Sequence, residues 1–162
     1  MHPASPAEYF LEPGYIYFSK TPSAVRAVVG SCVAVCLWDR ALRYGGMSHF
    51  LRPRPREGEP ATPQVGTAAL AALVRMMDDA GCSRTDLVAQ IAGGASPRDG
   101  KPGENIGTEN AQVARAFLSR KGIDLASEDT GGTMGRKLIF DTATGQLAVL
   151  KVFKIRKSDW GL

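Results

Sequence analysis

The sequence predicts an α+β domain built in layers. Short segments rich in β-branched and aromatic residues are bounded by glycine, proline or aspartate, as strands are. Two longer segments repeat apolar residues at helical spacing. Strands and helices are interspersed with no internal repeat, so mixed strands and two main helices must share one core. At 162 residues the chain is long enough to bury such a core and is read as one domain over 1–162, with 1–8 and 154–162 as flexible ends.

Residues 8–19, with Tyr9, Phe10, Tyr15, Ile16, Tyr17 and Phe18, read as extended pieces on either side of Pro13-Gly14. Val33 to Trp38 is an apolar strand, broken by Asp39-Arg40-Ala41-Leu42, and Tyr44 to Leu51 is a returning strand. Pro53 to Pro63 is a loop rich in proline, arginine and glutamate, read as a lid, a contact for a partner or a plain connector. Gln64 to Ala80 is a helix with Leu70, Leu73, Val74 and Met77 on one stripe and Gly81 as its stop; Met76 and Met77 read as core filler. Leu87 to Ala92 is a buried strand. Thr108 to Lys121 is the second helix, with Val113, Phe117 and Leu118 inward and Gly122 as its stop. Ile123 to Asp129 is a strand, and Arg136–Thr142 with Gln146–Phe153 forms a hairpin turned at Ala143-Thr144-Gly145.

Chemistry concentrates at the first hairpin. A turn centred between Arg40 and Ala41 puts Cys32 directly opposite His49, and facing residues of an antiparallel pair hold their Cβ atoms roughly 4.5–5.5 Å apart. The thiolate is the nucleophile and a free cysteine has a pKa of about 8.5, so an imidazole beside it serves to draw the proton away. The pairing predicts that Cys32 alkylates well below that pH. Gly30 and Ser31 precede Cys32, and their N–H groups can bind an oxyanion. Gly45 and Gly46 leave room for a substrate to lie against the second strand.

Other chemistries fit less well. Cys32, Cys36, Cys82, His2 and His49 are the available soft ligands. Cys32 and Cys36 are about 13 Å apart along one strand face, no second ligand pair accompanies them, and no metal site is expected. Cys36 and Cys82 read as buried thiols and Trp38 as packing. Gly93-Gly94 and Gly131-Gly132 lie outside any phosphate-binding motif, and no cofactor is expected. The net charge is +4, with basic residues grouped at Arg52, Arg54 and Arg56 and at the C-terminal end, which suits an acidic partner. Aromatics do not interleave with them as a nucleic-acid stacking platform requires. The absence of an 18-residue apolar run or a signal pattern, with an odd cysteine count, leads to the expectation of a cytoplasmic protein without membrane insertion.

Gly30-Ser31-Cys32-Val33-Ala34-Val35-Cys36-Leu37, followed by Gly45-Gly46-Met47-Ser48-His49-Phe50, closely resembles the chemoreceptor glutamine deamidase family, CheD. Ala89 to Ser96 is similar to that family's Gly-Gly-Ala segment, Asn105-Ile106-Gly107-Thr108-Glu109-Asn110 to its Asn-Ile-Gly motif, and Asp129-Thr130-Gly131-Gly132 with Arg136 to its Asp-x-Gly-Gly-x-x-x-Arg signature. The resemblance runs from about Tyr15 to Val152. It implies sheets packed together with the helices outside, Cys32 as nucleophile and His49 as its base. The activity it implies is hydrolysis of glutamine side-chain amides on chemoreceptor helices, with methyl-ester cleavage by the same apparatus also allowed. It further implies a CheC-type phosphatase as a partner. Gly93 and Gly94 join Gly30 and Ser31 as oxyanion or substrate-binding positions, and Arg52, Arg54 and Arg56 become receptor-docking residues. Two departures stand out. The threonine described as a third catalytic member falls at Arg26 or Ala27, leaving Ser48 or a backbone carbonyl to orient His49, and Glu109 replaces a basic residue. A non-catalytic module that docks to a receptor or phosphatase is the alternative, and a cysteine peptidase or general amidase is a third reading.

Overall fold

The computed structural model describes residues 7–96 and 105–153. Its elements in chain order are β1 (Ala7–Phe10), β2 (Ile16–Ser19), β3 (Ser23–Val29), β4 (Val33–Asp39), β5 (Gly45–Phe50), α1 (Gly66–Asp79), β6 (Leu87–Gly93), α2 (Ile106–Arg120), β7 (Asp124–Thr130), β8 (Gly135–Asp141) and β9 (Gln146–Val152). One sheet has the order β1-β3-β8-β9 and the other β2-β5-β4-β6-β7. Both are mixed: β1 runs parallel to β3 and β6 parallel to β7, and the remaining neighbours are antiparallel. Helix α2 lies in the connection between the parallel strands β6 and β7.

The layers follow from the alternation of side chains along β4. Val33, Val35 and Leu37 join Leu70, Leu73, Met77, Phe117 and Leu118 in a core between the five-stranded sheet and the helices. Ala34 and Cys36, on the other face, join Val25, Ala27, Leu138 and Phe140 in a second core between the two sheets. A strand buried on both faces reads as a continuous apolar run, which is how Val33 to Trp38 stands out in the sequence. The order is therefore sheet, sheet, helices, an α+β arrangement with the helices outside, as expected.

Several expectations need correction. Strand β3 was not anticipated. It pairs with β1 and β8 and carries the chain directly into Gly30-Ser31-Cys32. Ala7 and Glu8, expected in a loose end, lie in β1; residues 1–6 and 154–162 fall outside the described part. Met76 is 41% exposed, so Met77 alone fills the core. Gly45 and Gly46 face protein rather than substrate: a Cβ at Gly45 would press on Thr142, and one at Gly46 on Leu73 and the Tyr17 carbonyl.

The hairpin register also differs, by two residues. Ala34 faces His49 and Val33 faces Phe50. The cause is the turn, which is wider than a two-residue connection. Asp39 Oδ1 accepts the N–H groups of Ala41 and Leu42 at 2.8 Å, Arg43 takes φ of 60°, and the Asp39 N–H donates to the Tyr44 carbonyl. A slip of two keeps every side chain on its face. Cys32 is thus a diagonal rather than a direct neighbour of His49, a separation of roughly 7–8 Å between backbone positions that falls to the imidazole rather than the short cysteine side chain to bridge.

Candidate active site

Cys32 stands at the entry to β4, part-buried, on the side facing the other sheet. The turn that carries it is fixed through its carbonyl groups. Gly94 N–H donates to Cys32 O and Ala95 N–H to Gly30 O, each at 2.9 Å, and Asn110 Nδ2 donates to Ser31 O at 2.9 Å. Gly93 has φ of 117°, and a Cβ there would collide with the Cys32 carbonyl. The pair Gly93-Gly94 therefore serves as close packing beneath Cys32, and the Gly94 N–H, already donated to the Cys32 carbonyl, is not free to hold an oxyanion. Gly30 and Ser31 line an open depression with Ala95, Ser96, Thr133, Gly135 and Phe153.

The Asp-x-Gly-Gly-x-x-x-Arg segment braces this arrangement from behind. Gly131 N–H donates to Gly93 O at 3.1 Å and Ser96 N–H to Gly132 O at 2.8 Å. Arg136 is buried, its Nη2 bonded to Asp129 Oδ1 at 3.1 Å and its Nη1 to Met134 O at 2.9 Å. Arg136 also faces Val29, the last residue of β3 before the Cys32 turn.

His49 is fully buried on β5, on the same face as its neighbour Ala34 and hence as Cys32 two residues earlier. Its Nδ1 lies 3.1 Å from the Leu11 carbonyl. A carbonyl only accepts, so Nδ1 carries the proton and Nε2 is left as an unprotonated acceptor. Nε2 is buried and has no protein partner. The His49 carbonyl accepts the Gly14 N–H at 2.7 Å, so the segment after β1 holds both the ring and the backbone of this residue. Of the candidate orienting groups, the backbone carbonyl takes the place. Ser48 points to the helix side of the sheet, beside Val35, with a buried and unpartnered Oγ. Arg26 points outward to Glu8, and Ala27 is packed between the sheets.

Burial sets the charge state of the pair. It pushes the Cys32 thiol up to about 11, against the smaller opposing effect of the residue's own backbone N–H. It pushes His49 down to about 4, against the Leu11 carbonyl. The resting pair is a neutral thiol and a neutral imidazole, and the expected alkylation of Cys32 well below pH 8.5 is withdrawn.

The arginine loop is tied down at one end. Arg52 Nε donates to Glu59 Oε1 at 3.0 Å, Arg52 Nη2 bonds the same carboxylate, and Glu59 also accepts the Arg56 N–H. Arg52 is thus engaged within the loop, whereas the Arg54 and Arg56 side chains are exposed.

One functional candidate went unread. Asn110 has no exposed surface and joins the Ser31 turn to the Leu51 carbonyl at 3.0 Å. Its signal in the sequence is a polar residue on the otherwise apolar stripe of Gly107, Ala111, Ala114, Phe117 and Leu118.

Comparison with known proteins agrees with the motifs. A family model described as CheD chemotactic sensory transduction matches residues 53–151. The "Probable chemoreceptor glutamine deamidase CheD" of Sulfurimonas denitrificans is 35% identical over 147 residues, 90% of this chain and 94% of that protein. The protein of the same name from Rhodospirillum rubrum is 40% identical over 141 residues, 86% of this chain and 80% of its own. "Probable chemoreceptor glutamine deamidase CheD 1" of Anaeromyxobacter dehalogenans is 43% identical over 140 residues, 86% of this chain and 81% of its own. Matches of that extent span positions 32 and 49, which precede the segment matched by the family model. A solved structure, Neisseria meningitidis protein NMB0706, superposes with a TM-score of 0.44 at 14% identity over 69% of this chain and 53% of that one, too slight a likeness to support an inference. With a family model over more than half its length and relatives above 30% identity across most of it, the chain belongs to the CheD family.

Proposed function

We propose that this protein is a chemoreceptor glutamine deamidase that works by covalent catalysis at Cys32. The observation that carries the reading is the tautomer of His49: the Leu11 carbonyl holds the proton on Nδ1 and leaves Nε2 a free base on the face shared with Cys32. A missing hydroxyl near Arg26 favoured a non-catalytic module, and the Leu11 carbonyl supports catalysis by supplying that hydrogen bond. In the first step Cys32 Sγ bonds to the carboxamide carbon of a glutamine while its proton passes to His49 Nε2. Because the resting pair is neutral, proton and nucleophile move together. The N–H groups of Gly30 and Ser31 hold the oxygen that becomes negative. Collapse breaks the C–N bond, His49 returns its proton to the leaving nitrogen, and ammonia departs. His49 then takes a proton from water as it attacks the thioester, and Cys32 leaves as the thiol with glutamate as product.

The substrate is a glutamine on a receptor helix, reached across an open surface, with Arg54 and Arg56 as the exposed cations beside it. A CheC-type phosphatase as a second partner rests on the family resemblance alone. Three unpaired cysteines suit the reducing cytoplasm, and among the described residues no helix is long and apolar enough to cross a membrane. The test is the mass of a receptor fragment incubated with each cysteine variant. Cys32→Ala should leave every glutamine unconverted, whereas Cys36→Ala and Cys82→Ala should convert them. Conversion by Cys32→Ala would refute the assignment.

A further inference from the structure

Asn110 is the polar group least expected on its element. Burying an amide is costly unless it is hydrogen-bonded, and an apolar residue would suit this stripe of α2 better. Its two N–H bonds explain the exception. One goes to Ser31, immediately before the nucleophile, and the other to Leu51, two residues past the base. These carbonyls lie just outside the neighbouring strands β4 and β5, at the open end of the hairpin. The far end is secured by Asp39 at the turn, and the strand pairing between β4 and β5 ends at Val33–Phe50. Cys32 is the first residue beyond that pair. Asn110 therefore ties the two strands together where the nucleophile leaves the ladder. Its donors do this, since Oδ1 is buried with no protein partner.

We infer that Asn110 is a positioning residue, whose amide sets the spacing across which the Cys32 proton reaches His49 Nε2. The inference rests on the Cys32–His49 reading above. It gives one side chain of the Asn-Ile-Gly motif a role in the reaction without contact to substrate. A misplacement of about 1 Å can cost on the order of 100-fold in rate, so a clamp of this kind has a large effect through a small movement.

The test is a double-mutant cycle in the full chain. Asn110→Ala and His49→Ala are made singly and together, the alkylation rate of Cys32 by iodoacetamide is read at pH 7, and thermal unfolding confirms the fold. The deamidation kcat and KM of Asn110→Ala are measured alongside. Asn110→Ala should lower kcat about tenfold or more with KM within about twofold. It should slow alkylation in the natural background and slow it no further when His49 is already alanine. Additive slowing, or an unchanged kcat at a lowered unfolding temperature, would make Asn110 merely structural and overturn the inference. Alkylation of His49→Ala at the natural rate would instead overturn the pairing itself. Should Asn110→Ala fail to fold, Asn110→Ser, which keeps one donor in a smaller side chain, enters the same cycle with the same criteria.

Discussion

The carbonyl of Leu11 accepts the Nδ1 proton of His49 across 38 residues of sequence. Leu11 is itself held, since its N–H donates to the Arg26 carbonyl at 2.7 Å. Arg26 and Ala27, where the resemblance leads one to expect a threonine, lie in β3. Here the strand contributes through its backbone, by fixing the residue whose carbonyl holds the His49 ring. A backbone acceptor is indifferent to the side chain beside it, so this contact does not depend on the outward-pointing Arg26.

The neutral pair predicts how Cys32 reacts with a small alkylating reagent. Its thiol is raised to about 11 by burial, so the rate should climb steeply toward that pH, above a small His49-dependent rate at neutrality in which the imidazole takes the proton as sulfur attacks. A maximal rate already reached at pH 7, with no further climb toward pH 11, would show a preformed thiolate–imidazolium pair instead.

Stability should depend on pH through His49. Its folded-state pKa of about 4 lies below the 6.5 of an exposed imidazole. Between those values the unfolded chain binds more protons, so stability rises with pH. The contribution is complete above pH 6.5 and is lost as the pH falls through 4, on the order of 3 kcal/mol. Urea unfolding at pH 7 and pH 4 should show this loss, and His49→Phe should reduce it.

Gly93 is where the backbone demands glycine. Its φ of 117° and the Cys32 carbonyl beside it leave no place for a methyl group. Gly93→Ala should destabilise the protein by at least about 1–3 kcal/mol and displace the Cys32 turn, lowering activity together with the unfolding temperature. Natural stability in this variant would show that the turn is not held as described.

The arginines should separate by role. Arg54→Ser with Arg56→Ser should slow deamidation of a receptor fragment at low ionic strength, and the difference should vanish near 1 M salt, where the Debye length is about 3 Å. Arg52→Ala should act by releasing Glu59 and loosening the loop, with little dependence on salt. Equal rates for the double variant at low salt would place the docking surface elsewhere.

What could be read from the sequence was whatever depends on local pattern. Both helices, strand β4 and the β8–β9 hairpin declare themselves by periodicity and turn residues. Cys32 and His49 stand out through the family motifs around them more than through residue type alone. Strand β3 is hard to read because Arg26 interrupts its apolar run and leaves only two short apolar pieces, Ala24-Val25 and Ala27-Val28-Val29. The register was misjudged because the Asp39 side chain builds a longer turn than the residues alone suggest. Leu11 and Asn110 act through bonds to residues 38 and 59 to 79 positions away, and such contacts exist only once the sheets are assembled.

The most direct measurement is the pH profile of kcat/KM for deamidation of a receptor fragment by the natural protein and by His49→Ala. The natural profile should fall on its acid side near pH 4, where His49 gains its proton and ceases to be a base. His49→Ala should be slower by about 100-fold or more and should lack that limb. A variant that keeps both the rate and the acid limb would contradict the assignment of His49 as the base that activates Cys32.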